Sequence, residues 1–288
     1  MAELKKPTTY EQQLEILKSR NVVIDDPVRC TEVLASISYY RFTAYFLPFK
    51  QFDGNYFEGT RFNRVYRIYE FDRKLRGVLF SALEEVEVFL RAKFSHYHAH
   101  KYGAEGYMDE NSFATSRHQH EKFEDNIKRE ISNNKRAAFV IHHNEHYEGH
   151  FPIWVIVELF TFGMLSRFFD DMKTSDKKKL ASGLYGTVPQ NVSSWLRCCT
   201  DLRNICAHYG RLYYRIFPAI PADVSGDYKQ LRRLWGAILA LKFLYPDSEK
   251  WNTEVLQYLN ALFDEYREDI ILRHIGFPDD WLKQLKKE

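Results

Sequence analysis

The sequence predicts an all-α fold. Apolar residues recur at steps of three and four along most of the chain. No run alternates apolar and polar residues long enough to make a strand. Gly and Pro, 13 and 9 of 288 residues, are too scarce for the many tight turns of an all-β protein. The chain reads as a single domain over 1–288. An N-terminal helical half covers 1–103, connecting helices 104–150 and a C-terminal helical half 151–288, with no short-period repeat and no low-complexity tract.

The elements follow in order. Thr8 or Thr9 can cap a first helix that runs to Ser19 with Leu14, Ile16 and Leu17 inward, and Asp25-Asp26-Pro27 opens a second. Residues 36–49 form an aromatic-rich element that stops near Pro48, and 51–60 is a loop. From Asn63 to Tyr102 the apolar spacing predicts one long amphipathic helix, with a possible break at Phe71-Asp72 and a stop at Gly103. A loop over 104–116 precedes helices over 117–132, 136–147, 152–172 and 175–184. Pro189 and Asn191 announce a helix over 192–214, which Pro218 and Pro221 follow; the last helices cover 226–244, 251–265 and a short stretch near the C-terminus.

Composition narrows the function. Hydrophobic residues make up 45% and charged residues 28%, which excludes a disordered chain and leaves material for a large core. A net charge of +2 does not advertise a nucleic-acid binder, so such a role must rest on local residues. Cys30, Cys198, Cys199 and Cys206 form no CxxC pair and read as reduced thiols of a cytoplasmic protein. The N-terminal MAELKKPTTYEQQ has no apolar core and reads as no signal peptide. The most apolar stretch, 151–169, is interrupted by Glu158 and Arg167 and predicts no membrane span.

Two segments share an Arg-x4-His pattern: Arg91 to His96, and Arg203 to His208. With 21 Arg and 11 His in 288 residues, chance alone yields about 0.8 such pairs, so the bare pattern means little. The second match also carries Asn204 directly after Arg203, and with 12 Asn that refinement is expected only about 0.03 times. On a helix Asn204 and His208 are four apart and share a face, so the amide can orient the imidazole. Arg203 lies about 140° around from His208, within reach of a phosphate held at the same end. The plainer alternative makes Arg203 a surface side chain and His208 a satisfied core histidine.

Arg-Asn-x3-His within a helix resembles the signature of HEPN ribonucleases. The wider chain resembles the Abi-like (AbiD/AbiF) family of bacterial abortive-infection proteins. The matching segments are Pro7 to Gln13, Ser38-Tyr39-Tyr40-Arg41, Tyr69 to Arg76, Trp154 to Glu158, Phe162 to Phe168, Ser194 to Arg197, Leu202 to His208, and Gly276-Phe277-Pro278 with Trp281. The resemblance implies a HEPN-type bundle of two related helical halves and metal-independent cleavage of RNA, in a phage-defence role as a toxin, with no cofactor. It places Arg203, Asn204 and His208, then Arg91 and His96, at the catalytic site. Ala92, where a polar residue would follow Arg91, and the neighbouring His98 and His100 depart from the pattern. The two Arg/His pairs meet either within one chain or across a homodimer. A catalytically silent module that binds RNA or a protein partner, including a regulatory RNA, is the alternative.

Three further features bear on binding. Arg197, Arg211 and Arg215 flank the second motif and are candidates for phosphate contacts. Arg61, Arg64, Arg67, Arg73, Lys74 and Arg76, interleaved with aromatics, could hold phosphates and stack bases, or form the solvated face of a core helix. His142, His146 and His150 align on a helix at metal-ligand spacing, but HExxH is absent, so the expectation is a polar exposed helix and no metal. Asp170-Asp171 and Lys177 to Lys179 read as solvated charges.

Overall fold

A computed structural model of the chain describes residues 6–114 and 118–287. The first residues of the N-terminal segment and the start of the helix expected from 117 lie outside the described residues. Among the described residues no strand occurs, only isolated bridges such as Val23 with Arg61. The fold is all-α.

Thr9 caps α1 (Tyr10–Lys18) in a capping box with Gln12, and Asp26 caps α2 (Pro27–Ser36) with Pro27 in its first turn. The aromatic element is a short α3 (Tyr39–Thr43) followed by a 3₁₀ turn, Ala44–Phe49. The long helix is α4 (Phe62–Tyr102), 41 residues without a break, closed by Gly103 at φ 85°. Phe71 and Asp72, where the sequence allows a break, both point into the core.

After two 3₁₀ turns come α5 (His120–Asn133) and α6 (Ala138–His146). The apolar stretch expected as one helix over 152–172 is split into α7 (Ile153–Ile156), a 3₁₀ turn and α8 (Phe162–Asp171), because the Thr161 hydroxyl caps a new start at the Met164 N–H. Next are α9 (Thr174–Tyr185) and α10 (Pro189–Ala207). The segment expected as 226–244 divides at Arg232 and Arg233 into α11 (Tyr228–Leu231) and α12 (Leu234–Leu244). Then follow α13 (Ser248–Lys250), a π turn, α14 (Leu256–Glu265) and α15 (Trp281–Leu285).

One continuous core runs through the described residues. α4 runs through it, with Phe71 against Tyr213, Phe263 and Tyr266 at one end and Phe94 stacked on Phe169 further along. α10 packs on α4, α8 and α12. Asp176 ties α9 to the end of α4 by accepting from Tyr97, Lys101 and Tyr102. Asp171 is not a solvated charge, since it pairs with His118 at 3.1 Å. The four cysteines are buried free thiols.

His98 is enclosed by Tyr102, Phe113 and Phe168, and this burial pulls its imidazole down to about 4. A histidine whose folded value lies below its unfolded value of about 6.5 binds fewer protons folded than unfolded between those limits. Stability is therefore full above about pH 6.5 and is lost as pH falls toward 4. The expected loss from this one group is about 3 kcal/mol. His98→Phe should flatten the fall in denaturant midpoint between pH 6.5 and 4.5; an unchanged profile would refute the assignment.

Candidate active site

The second motif sits where α10 ends. The sequence predicts a helix as far as 214, but α10 stops at Ala207 and leaves His208 as the C-cap. The reason is a Schellman closure: Gly210 N–H donates to the Ile205 carbonyl at 2.7 Å and Tyr209 N–H to Cys206 at 3.2 Å. Tyr209 occupies the left-handed position at φ 55°, where glycine is the usual residue. His208 and Asn204 are exposed and Arg203 is half-buried. Among the described residues the His208 ring has no hydrogen bond, ion pair or ring contact, and the Asn204 amide does not orient it.

The chain beyond the cap is clamped to α4. Asp72, fully buried, accepts from Leu212 N–H at 3.1 Å, from Tyr213 N–H at 2.7 Å and from the Tyr45 hydroxyl at 2.7 Å. Arg76 pairs with the same carboxylate and donates to the Gly210 carbonyl at 3.2 Å. These bonds fix the turn that carries His208.

The first motif lies within α4. Arg91 donates to Glu87 at 2.6 Å and to the Phe160 carbonyl at 2.9 Å, and approaches Glu158 at 3.4 Å. Arg203 approaches the other oxygen of Glu87 at 3.5 Å. The arginines of the two motifs therefore meet across one carboxylate, on the wall of a cavity of about 270 Å³ that Glu84 and Phe80 also line.

The histidines do not meet. Glu87 faces Arg203 while Arg76 faces Gly210, so α4 and α10 run antiparallel. His96 is nine residues past Glu87 in one direction and His208 five past Arg203 in the other, which separates them by about 20 Å along the axes at about 1.5 Å per residue. Nine residues also turn His96 about 180° from Glu87 on α4. Its exposed ring instead lies 4.0 Å from the ring of His100.

The flanking arginines diverge as well. Arg197 is exposed on a polar cavity of about 930 Å³ with Lys177 and Lys178. Arg211 lines a second cavity of about 900 Å³, and burial lowers its pKa. Arg215 donates to the Arg211 carbonyl at 3.5 Å. Between Arg197 and Arg215 lies Asp201, whose carboxyl is raised by burial and held back by those two cations.

The basic stripe of α4 is structural. Arg61 pairs with Asp25, Arg67 with Asp269, Arg73 with Glu70 and Lys74 with Glu265, while Arg64 donates to the Asp269 carbonyl. In the histidine-rich segment, His143 is buried against Phe151 and His150 pairs with Glu105. Among the described residues no three His, Cys, Asp or Glu side chains converge as a metal site.

Sequence reasoning missed Glu87 and Asp72. Glu87 was findable, because Glu at i−4 from Arg91 is a helix ion-pair spacing. The Asp72–Arg76 pair was findable by the same spacing, but nothing local marked the clamp, since the amides that Asp72 holds lie about 140 residues away at Leu212 and Tyr213.

A family model described as Abi-like protein matches residues 32–214. That span is more than half of the chain and takes in both arginine–histidine segments, so the chain belongs to the Abi-like family. No curated protein and no solved structure matches it. No helix among the described residues is long and apolar enough to cross a membrane.

Removing the Asp72 carboxylate leaves Arg76 buried without its counter-charge. Asp72→Ala should cost about 3–5 kcal/mol in denaturant unfolding. It should also strip hydrogen-exchange protection from the amides of Leu212 and Tyr213. Retained protection at those two amides would show that the clamp is dispensable.

Proposed function

We propose that the protein is a metal-independent endoribonuclease acting as the toxin of a bacterial phage-defence system. The observation that carries this reading is the exposed, unengaged His208 imidazole, held on a fixed helix end five residues from the Arg203 cation. Membership of the Abi-like family supports the setting.

In the reaction, the ribose 2′-OH gives its proton to one imidazole and its oxygen bonds to the adjacent phosphorus. The bond from phosphorus to the 5′-oxygen breaks as a second imidazole protonates that oxygen. The products are a 2′,3′-cyclic phosphate and a 5′-OH. Arg203 opposes the charge that builds on the phosphorane-like transition state, and the exposed Asn204 amide lies on the same turn to hold the strand. Arg91 acts as a positioning residue by holding Glu87 against Arg203. DNA lacks the attacking hydroxyl and stays intact.

One chain supplies one such imidazole at this end, since His96 faces away from Glu87. The second comes from His208 of a second copy, so that the working enzyme is a symmetric homodimer. One observation favours a second reading, a silent binding module: Arg91 is already engaged by two carboxylates and a carbonyl.

Purified protein incubated with mixed RNA in EDTA should yield 2′,3′-cyclic phosphate ends, with specific activity rising with protein concentration. His208→Ala should lower the rate by about 10²-fold or more while helical content is unchanged, and His96→Ala should stay within a few-fold of wild type. A strict magnesium requirement, 5′-phosphate products, or cleavage surviving in His208→Ala would overturn the reading. Intact RNA in every arm would leave the silent module.

A further inference from the structure

Beside the His208 turn lies the cavity of about 900 Å³ that Arg211 lines. One wall is α3 with Tyr39, Tyr40 and Arg41; the other is the chain just after His208, Tyr209 to Arg211. The Arg41 guanidinium joins the walls by donating to the Tyr209 carbonyl at 2.5 Å. The geometry points to this groove as a binding track for single-stranded RNA leading to His208. This inference rests on the ribonuclease reading for why the strand is there.

Charge is the first argument. Arg20, Arg41, Lys50 and Arg211 line the groove. Among the described residues none of these four is in an ion pair, and no carboxylate lines the groove with them. Along α4, by contrast, Arg61, Arg67, Arg73 and Lys74 each have a carboxylate partner. Four cations lining one concave surface, with no carboxylate among the lining residues, create a field for a polyanion.

Aromatic exposure is the second. Tyr40 is 89% exposed and Tyr209 69% exposed, so neither ring contributes to the core. Tyr209 also keeps its side chain at a backbone position that strains any residue but glycine and a few small polar ones. Exposed rings beside cations are the arrangement that stacks successive bases without reading sequence.

A duplex would hide its bases from Tyr40 and Tyr209, which is why the single strand is the occupant.

The test uses the full chain carrying His208→Ala, so that the probe is not cut. Binding of a fluorescent mixed-sequence 12-nucleotide RNA is followed by anisotropy across a salt series, with Tyr40→Ala or Lys50→Glu added. Tyr40→Ala should weaken binding about five-fold or more. Lys50→Glu should weaken it and reduce the salt slope by about one or more. Unchanged affinity and slope in both variants, no binding by the parent, or binding of duplex alone would overturn the groove. Cleavage by the wild type is measured in parallel. Cleavage with unaffected variants would refute the groove and leave the ribonuclease; binding lost in the variants with no cleavage by wild type would do the reverse.

Discussion

A single buried carboxylate organises the end of the molecule where chemistry is proposed. Asp72 comes from the N-terminal third of α4, yet its partners are the Tyr45 hydroxyl, the Arg76 guanidinium and two backbone amides beyond α10. A carboxylate offers about four acceptor positions, and these partners fill them. Its charge would be prohibitive in the core without Arg76, and Arg76 would be equally so without Asp72. The pair therefore stands or falls together, and with it stands the turn from His208 to Tyr213. The 3₁₀ segment that carries Tyr45 follows directly on α3, so the same carboxylate also sets one wall of the groove.

The antiparallel crossing of α4 and α10 has a consequence for any two-motif site. Each motif reads Arg then His in the chain direction. When antiparallel helices bring their arginines together, as Glu87 does for Arg91 and Arg203, the histidines are driven to opposite ends. Had the helices run parallel, both histidines would have fallen on one side of the arginine pair. Helix direction thus decides that a single chain offers His208 without a second imidazole beside it. That makes a second copy a requirement of the proposed acid–base chemistry, where the sequence alone left both arrangements open.

Local patterning was legible and distant pairing was not. The 41-residue α4 was readable because a 3.6-residue repeat sustained over so many turns fits a helix and no extended backbone. The capping of α1 by Thr9 and of α2 by Asp26 followed from local side-chain chemistry. The end of α10 was not legible because its stop is a Schellman closure whose left-handed residue is Tyr209, with Gly210 one place late. The apolar run through Leu212 and Tyr213 then imitated a continuing helix; both residues are buried, but by a turn that Asp72 holds. The two Arg-x4-His segments could be found by spacing, whereas the direction of their helices could not.

The cations follow the same division between local pattern and distant pairing. In the sequence, Arg197, Arg211 and Arg215 stand as candidates for phosphate contacts, and the α4 cations read either as phosphate and base contacts or as a solvated face. Folding sets the groups apart. In the α4 stripe Arg61, Arg67, Arg73 and Lys74 are matched by Asp25, Asp269, Glu70 and Glu265, and Arg64 donates to the Asp269 carbonyl, so these cations mainly hold segments together. The groove cations converge from three stretches of chain, around Arg20, around Arg41 to Lys50, and at Arg211, onto one surface lined by no carboxylate. Stability gains nothing from cations crowded in this way, and mutual repulsion works against it. These cations lie beside the unengaged His208, where the strand proposed for the groove would supply the counter-charge that no lining carboxylate gives.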